Sequence, residues 1–205
     1  MKIAVWGADT FVGSNICNYM LQYTKNDIFG VFVGPPPYRH MEGPMRSRTR
    51  FDWQVTTDHH DAIDMRLQVE SPDLIIVTTP VPDMLFNRFA TCYVGPDFEQ
   101  LGASKIFLTP EPFGPRQPRS EGIASIIYCD DPPADARKTV IYIKDLYDQL
   151  MSFIDSGSKN GSAVGIETTT RELWSIPRLD KITGSSLEAA VIHTIGWYSS
   201  NKWFK

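Results

Sequence analysis

The chain predicts an α/β protein: a Rossmann-like doubly wound parallel sheet followed by a small C-terminal lobe. Three observations predict it. Short, nearly continuous apolar runs recur through the first half, at 3–6, 27–33, 74–78 and 105–108. The segments between them repeat apolar residues at helical spacing, so strands alternate with helices, as in a parallel sheet covered on both faces. The first run ends at Gly7, and Gly13 opens an amphipathic segment carrying Ile16, Met20 and Leu21. A strand, a tight turn and a helix in that order aim helix N–H groups and the helix dipole at a phosphate.

After the first helix, DIFGVFV reads as a second buried strand that stops at Gly34 and the prolines Pro35, Pro36 and Pro37. Residues 38–57 are rich in Arg, Gly and Pro and read as loop, with a short strand near 53–55. Ala62, Ile63, Met65, Arg66 and Val69 give 58–69 helical spacing, and Ser71-Pro72-Asp73 separates that helix from the strand LIIVT. A helix is predicted at 84–92 and the next strand at 105–108, closing the first half near Thr109. A different texture follows. PEPFGPRQP forms an irregular crossing, 122–128 is short and apolar, 140–143 reads as a strand and 144–154 as a helix. A Gly/Ser-rich loop at 156–162 precedes a strand at 163–166. Thr168 to Thr170 can cap a helix starting at Arg171, and 185–198 reads as a closing helix with Leu187, Ala190, Val191, Ile195 and Trp197 as core.

Bulk properties exclude several classes of function. The 205 residues suffice for one packed domain or one domain with a small lobe. A net charge of −4 argues against a general nucleic-acid binder, and the cluster Arg46, Arg48, Arg50 reads as solvated loop. Cys17, Cys92 and Cys129 are far apart, which points to a reducing compartment without disulfides or structural zinc; Cys17 reads as a small core residue. His40, His59, His60 and His193 show no metal spacing, so no metal is expected. No signal-peptide pattern and no membrane-length apolar run is present, so the expectation is a cytoplasmic protein without membrane contact.

Six segments, in order, resemble the extended short-chain dehydrogenase/reductase superfamily, in particular its nucleotide-sugar epimerases and dehydratases. GADTFVGSNI looks like the opening GATGFVGSHL, SPDLIIVTTP like the fourth strand, and GASKIFLT like the fifth strand, which normally ends in a catalytic serine or threonine. FGPRQP is similar to YGPRQ, RKTVIYIKDLYDQLMSFIDSG to RDFTYVDDLVDAI, and SSLEAAVIHTIGWYSSNKWF to the closing SLEEGLRRTIEWYRENRDW helix. The resemblance implies a Rossmann-like dinucleotide-binding domain over 1–109 and a reduced substrate lobe with the closing helix over 110–205. It also implies NAD or NADP as cofactor and a nucleotide or nucleotide sugar as ligand.

The departures matter equally. Members are about a hundred residues longer, and the missing length falls where the Tyr-x-x-x-Lys pair belongs, the pair whose phenol acts as general base. Leu101-Gly-Ala-Ser-Lys105 imitates that motif with leucine for the phenol, and Tyr198 with Lys202 matches it only at the C-terminal end. In the turn, Gly7, Thr10, Phe11, Val12 and Gly13 are the cofactor-binding candidates, with Ser14 able to add a hydroxyl. Thr10 stands where the fingerprint has its middle glycine and puts a side chain in the path of a phosphate. Asp9 either caps the helix or sets a negative charge beside the anion.

No carboxylate ends the second strand, where NAD binders place one. Arg39 can receive a 2′-phosphate, which would favour NADP, and Asp58 matches an adenine-contacting aspartate or caps a helix. Thr78 completes the cofactor set. Arg116 and Lys138, with Arg137 adjacent, can clamp a diphosphate or pair on the surface; Thr109 and Glu111 are the nearest replacement acid/base groups, with Thr79 beside Thr78. Two readings follow: a catalytically degenerate binding or assembly module, or a shortened active enzyme with non-standard acid/base chemistry. Loss of a lobe exposes apolar surface, so self-association or a protein partner is expected, with Phe113, Trp197, Trp203 and Phe204 as contact residues or as core.

Overall fold

The computed structural model describes residues 1–34, 50–55, 60–81, 88–96, 102–179 and 183–201, the side chains of 60–62 excepted. The chain divides into two compact units, 1–108 with 151–162 and 109–150 with 163–205.

The first unit is a seven-stranded sheet. Its strands are β1 (Lys2–Trp6), β2 (Asp27–Phe32), β3 (Phe51–Val55), β4 (Leu74–Val77), β5 (Thr91–Gly95), β6 (Lys105–Leu108) and β9 (Asn160–Ser162). The order is β3-β2-β1-β4-β5-β6-β9, and every pairing is parallel. Chain direction reverses its progress across the sheet between β1 and β4, the switch point at which doubly wound sheets of this strand order bind ligands. The central strands are buried along their length because helices must cover both faces of a parallel sheet. Helix α1 (Phe11–Tyr23) lies against β1 and β2 and buries Ile16, Cys17, Met20 and Leu21. Helix α2 (His60–Glu70) brings Ile63 and Leu67 to the other face, with Trp6, Phe29, Val77 and Tyr93. At the end of α1, the Arg50 guanidinium donates to the carbonyls of Leu21, Thr24 and Asn26 at 2.9, 2.9 and 3.0 Å. A cation at a helix C-terminus satisfies orphan carbonyls and the dipole together, so Arg50 is a cap and not a solvated loop residue. Arg46 and Arg48 lie outside the described residues.

Three sequence expectations change here. Thr91 and Cys92, expected at the end of a helix, belong to β5, and 82–87 lie outside the described residues. The helical spacing of Met84, Leu85, Phe89 and Cys92 hides a β-branched and aromatic run that starts at Thr91. With β5 in place, 105–108 is the sixth strand, so the resemblance of GASKIFLT to a fifth strand does not hold. The Gly/Ser-rich stretch contains β9, and the strand expected at 163–166 is instead β10 (Ile166–Thr169). Asn160-Gly-Ser162 has no apolar pattern; it joins β6 through backbone bonding and through Gly161, where a Cβ would lie 2.6 Å from the Phe153 ring.

The second unit holds a three-stranded sheet of order β10-β8-β7, with β7 (Glu111–Phe113) parallel and β10 antiparallel to β8 (Arg137–Tyr142). Helices α3 (Gly122–Tyr128), α5 (Thr170–Ser175) and α6 (Ser186–Ser200) share one core that includes Phe113, Ile127, Val140, Leu173 and Val191. Helix α4 (Ile143–Asp155) follows β8 directly, and its last turn belongs to the first unit. Phe113 is fully buried in this core, and Trp197 and Ile195 are half-buried. Trp203 and Phe204 lie outside the described residues. A capping box starts α6: Ser185 Oγ accepts from Glu188 N–H while the Glu188 carboxylate accepts from Ser185 N–H. Burial pushes the Glu188 carboxyl up, but hydrogen bonds from the Thr183 hydroxyl and the Gly184 and Ser185 N–H groups outweigh it, so it titrates below its ordinary value. Among the described residues, no helix is long and apolar enough to cross a membrane.

Candidate functional site

The turn between β1 and α1 stands at the switch point. Gly7 has φ +82°, a conformation side chains resist, and a Cβ there would lie 2.7 Å from Thr78 Oγ1. Gly13 is required by packing: a Cβ would fall 2.0 Å from the Gly7 carbonyl oxygen, so only glycine lets α1 close onto β1. Thr10 is the N-cap of α1. Its hydroxyl donates to Gly7 O at 2.7 Å, accepts from Gly13 N–H at 3.1 Å and lies 3.2 Å from Thr78 Oγ1. Thr78, just beyond β4, in turn donates to Trp6 O at 3.0 Å. The Thr10 hydroxyl is thus folded inward onto the turn. Ser14 is also turned in, donating to Phe11 O at 3.2 Å. Phe11 and Val12, both half-buried, contribute the remaining N–H groups of the first helical turn.

Asp9 is not the helix cap, because Thr10 fills that role. Its carboxylate crosses to the tip of β2, where Oδ1 accepts from Val33 N–H at 2.9 Å and Oδ2 from Gly34 N–H at 2.6 Å. The sequence separation of this contact put it beyond pattern reading; the one signal was a glycine following the strand, since a Cβ at Gly34 would lie 2.7 Å from Oδ2. A second feature the sequence reading missed lies on β5. Tyr93 and Gly95 share one face of the strand, and a Cβ on Gly95 would lie 2.1 Å from the Tyr93 hydroxyl. The phenol therefore extends along the strand to the C-terminal edge of the sheet. Arg39 and Asp58 lie outside the described residues.

Gly7, Thr10, Gly13 and Thr78 come together in the first unit. Phe11, Val12 and Thr79 also belong to this unit, whereas Thr109, Glu111, Arg116 and Lys138 belong to the second. Thr109 is buried just after β6, and Arg116 is buried with φ +72°. Lys138 donates to Glu111 at 2.7 Å. Of these, Lys138 lines an open cleft of about 430 Å³ formed by β8, β10 and α5, together with Arg137, Glu167 and Glu172, and Thr168 donates to Glu172 at 2.6 Å. With Glu111 on Lys138, carboxylates outnumber cations, a poor match to a diphosphate.

Tyr198 is buried edge-on to Tyr128 with Arg119 over its ring. Burial pushes its phenol above the ordinary tyrosine value, Tyr128 adds to the shift and Arg119 opposes it, the reverse of what a general base needs. Its motif partner Lys202 lies outside the described residues. Lys105 donates to Ile154 O at 2.9 Å. His193 meets the Tyr142 hydroxyl at 2.6 Å; His40 and His59 lie outside the described residues. Among the described residues, no cluster of His, Cys, Asp and Glu could hold a metal ion.

No protein-family model and no curated protein sequence matches the chain. Solved structures do. A dTDP-glucose 4,6-dehydratase from Bacillus anthracis, in complex with NAD, aligns over 100% of this chain and 98% of its own with TM-score 0.78 and 12% identity. A UDP-glucuronic acid 4-epimerase from Bacillus cereus, in complex with UDP-glucuronic acid and NAD, aligns over 98% and 100% with TM-score 0.76 and 13% identity. A UDP-N-acetylglucosamine 4-epimerase from Methanobrevibacter ruminantium gives 0.71 and 13% over 98% of both chains. At such identities the likeness is one of fold. The chain has the Rossmann-like fold of nucleotide-sugar epimerases and dehydratases.

Proposed function

We propose that this chain is a shortened relative of the nucleotide-sugar epimerases and dehydratases that binds NAD(P) at the β1–α1 turn and has lost its forebears' acid/base chemistry, acting as a binding or assembly module. The observation that carries the reading is the Gly7–Gly13 turn at the β1/β4 switch point, with a left-handed backbone at Gly7 and close backbone approach enforced at Gly13. The residues fit the group. The Thr10 side chain is turned away from the mouth of the turn, and the N–H groups of Phe11 and Val12 are placed for a pyrophosphate at a helix N-terminus. A bound nicotinamide would supply hydride transfer; the protein's task is to hold it and to manage protons. The structural neighbours' own complexes with NAD and with nucleotide sugars support the ligand class. The loss of chemistry rests on the sequence, in which Tyr-x-x-x-Lys occurs only at Tyr198, and on the burial of that phenol.

One observation favours a second reading, an active enzyme with substitute chemistry. The Tyr93 phenol lies at the C-terminal edge of the sheet over Gly95, on the strand next to β4 in sheet order. Calorimetric titration with NAD+, NADH, NADP+ and NADPH, with and without UDP- and dTDP-sugars, tests both readings. Dinucleotide binding without turnover is the expected result. No heat at millimolar ligand would sink the binding reading. Turnover of a sugar nucleotide that disappears in Tyr93→Phe would establish the enzyme.

A further inference from the structure

The absence of an acidic residue at the end of β2 leaves an NAD site without its ribose partner, yet a carboxylate does stand there. It comes from the turn. Asp9 Oδ1 and Oδ2 accept from the consecutive N–H groups of Val33 and Gly34 at 2.9 and 2.6 Å, at the tip of the strand next to β1. The turn is fastened to the same strand by its backbone, with Gly7 and Ala8 N–H both donating to Val31 O, at 2.9 and 3.0 Å. Gly34 makes the arrangement sterically feasible, since any Cβ would press on Oδ2.

We propose that Asp9 replaces the missing strand-end acid, accepts the adenosine ribose 2′-hydroxyl, and makes the site selective for NAD over NADP. The proposal rests on the dinucleotide-binding reading above. A carboxylate offers about four acceptor positions, and the two backbone bonds use two of them, one on each oxygen. Each oxygen keeps acceptor capacity for a hydroxyl, and the half-buried side chain is open to solvent. A 2′-phosphate at the same place would meet like charge at short range. The two backbone bonds also hold the charge at β2, away from the helix start where the pyrophosphate would sit. That resolves the conflict between an acidic turn residue and an anionic ligand. Selectivity therefore reverses the direction suggested by Arg39.

The test is calorimetry on the full chain with NAD+, the analogue lacking the adenosine 2′-hydroxyl, and NADP+, repeated with Asp9→Asn and Asp9→Ala. A hydrogen bond to a charged group predicts that the wild-type protein binds NAD+ about tenfold or more tighter than either of the others. In the variants, the 2′-deoxy penalty shrinks toward onefold and the preference over NADP+ narrows. Equal affinity for NAD+ and its 2′-deoxy analogue, or NADP+ bound as tightly as NAD+, overturns the role of Asp9 and reduces it to a staple between turn and strand, with dinucleotide binding intact. Absence of binding by all three overturns the parent reading and this one with it. If the variants do not fold, the three wild-type titrations decide.

Discussion

Gly13 and Thr10 sit three residues apart, and they fail for different physical reasons when changed. A methyl on Gly13 would fall 2.0 Å from a backbone oxygen of Gly7, and neither strand nor turn can yield without moving α1 off the sheet. Gly13→Ala is therefore expected to cost at least the ~1–3 kcal/mol typical of overpacking, read as a lower urea midpoint, and to remove dinucleotide binding. Thr10→Val keeps the shape and loses the hydroxyl that caps Gly13 N–H and bonds Gly7 O. Its cost is set by the lost cap, about 1 kcal/mol. Should Thr10→Val prove as damaging as Gly13→Ala, the hydroxyl network and not the backbone contact holds the turn. Only half of this was legible in the residues. Spacing showed that Gly7 and Gly13 belong to one turn, but the inward fold of Thr10 and the reach of Asp9 to Val33 and Gly34 depend on β2 and β4 lying on either side of β1.

At the scale of elements, strands that the sheet buries on both faces announce themselves, because continuous apolar sequence has few other uses; β1, β2 and β4 are of this kind. β5 and β9 are not. Each depends on one glycine that makes room for an aromatic ring: Gly95 for the Tyr93 phenol and Gly161 for Phe153. Gly95→Ala should thus destabilise the protein by ~1–3 kcal/mol through displacement of the phenol. In a Tyr93→Ala background the same change should be nearly neutral in urea unfolding, and an undiminished cost there would show that the phenol is not what occupies the space.

The start of α6 offers a pH test. The Glu188 carboxyl is held below its ordinary value, so its stabilisation is complete above the unfolded value of about 4.3 and fades as pH falls through the folded one. The stability gap between wild type and Glu188→Gln should be full at neutral pH and close on acidification below about pH 4. A gap that stays constant would place the effect of Glu188 in packing alone.

For the molecule as a whole, likeness to nucleotide-sugar enzymes runs end to end in fold while sequence identity stays at 12–14% among the first of these neighbours. What is shared at that distance is the fold, which backbone geometry sets. On the proposed reading the difference lies in side-chain chemistry: no acidic residue ends β2, and Tyr-x-x-x-Lys occurs only at Tyr198. A dinucleotide site can survive such change because phosphate recognition at a helix start relies on backbone N–H groups, whereas proton transfer needs one titratable group in one place. This asymmetry makes binding without turnover the physically economical outcome, and it has a thermodynamic signature independent of catalysis. A ligand that binds only the folded chain stabilises it by RT ln(1 + [L]/Kd), about 2.7 kcal/mol at a hundred times Kd. NAD+ should therefore raise the unfolding midpoint of the wild-type protein in proportion to log concentration, and should leave Gly13→Ala unmoved. A midpoint for the wild-type chain that does not respond to NAD+ would mean that the fold has outlived the site, and the phosphate turn would then be a relic of packing.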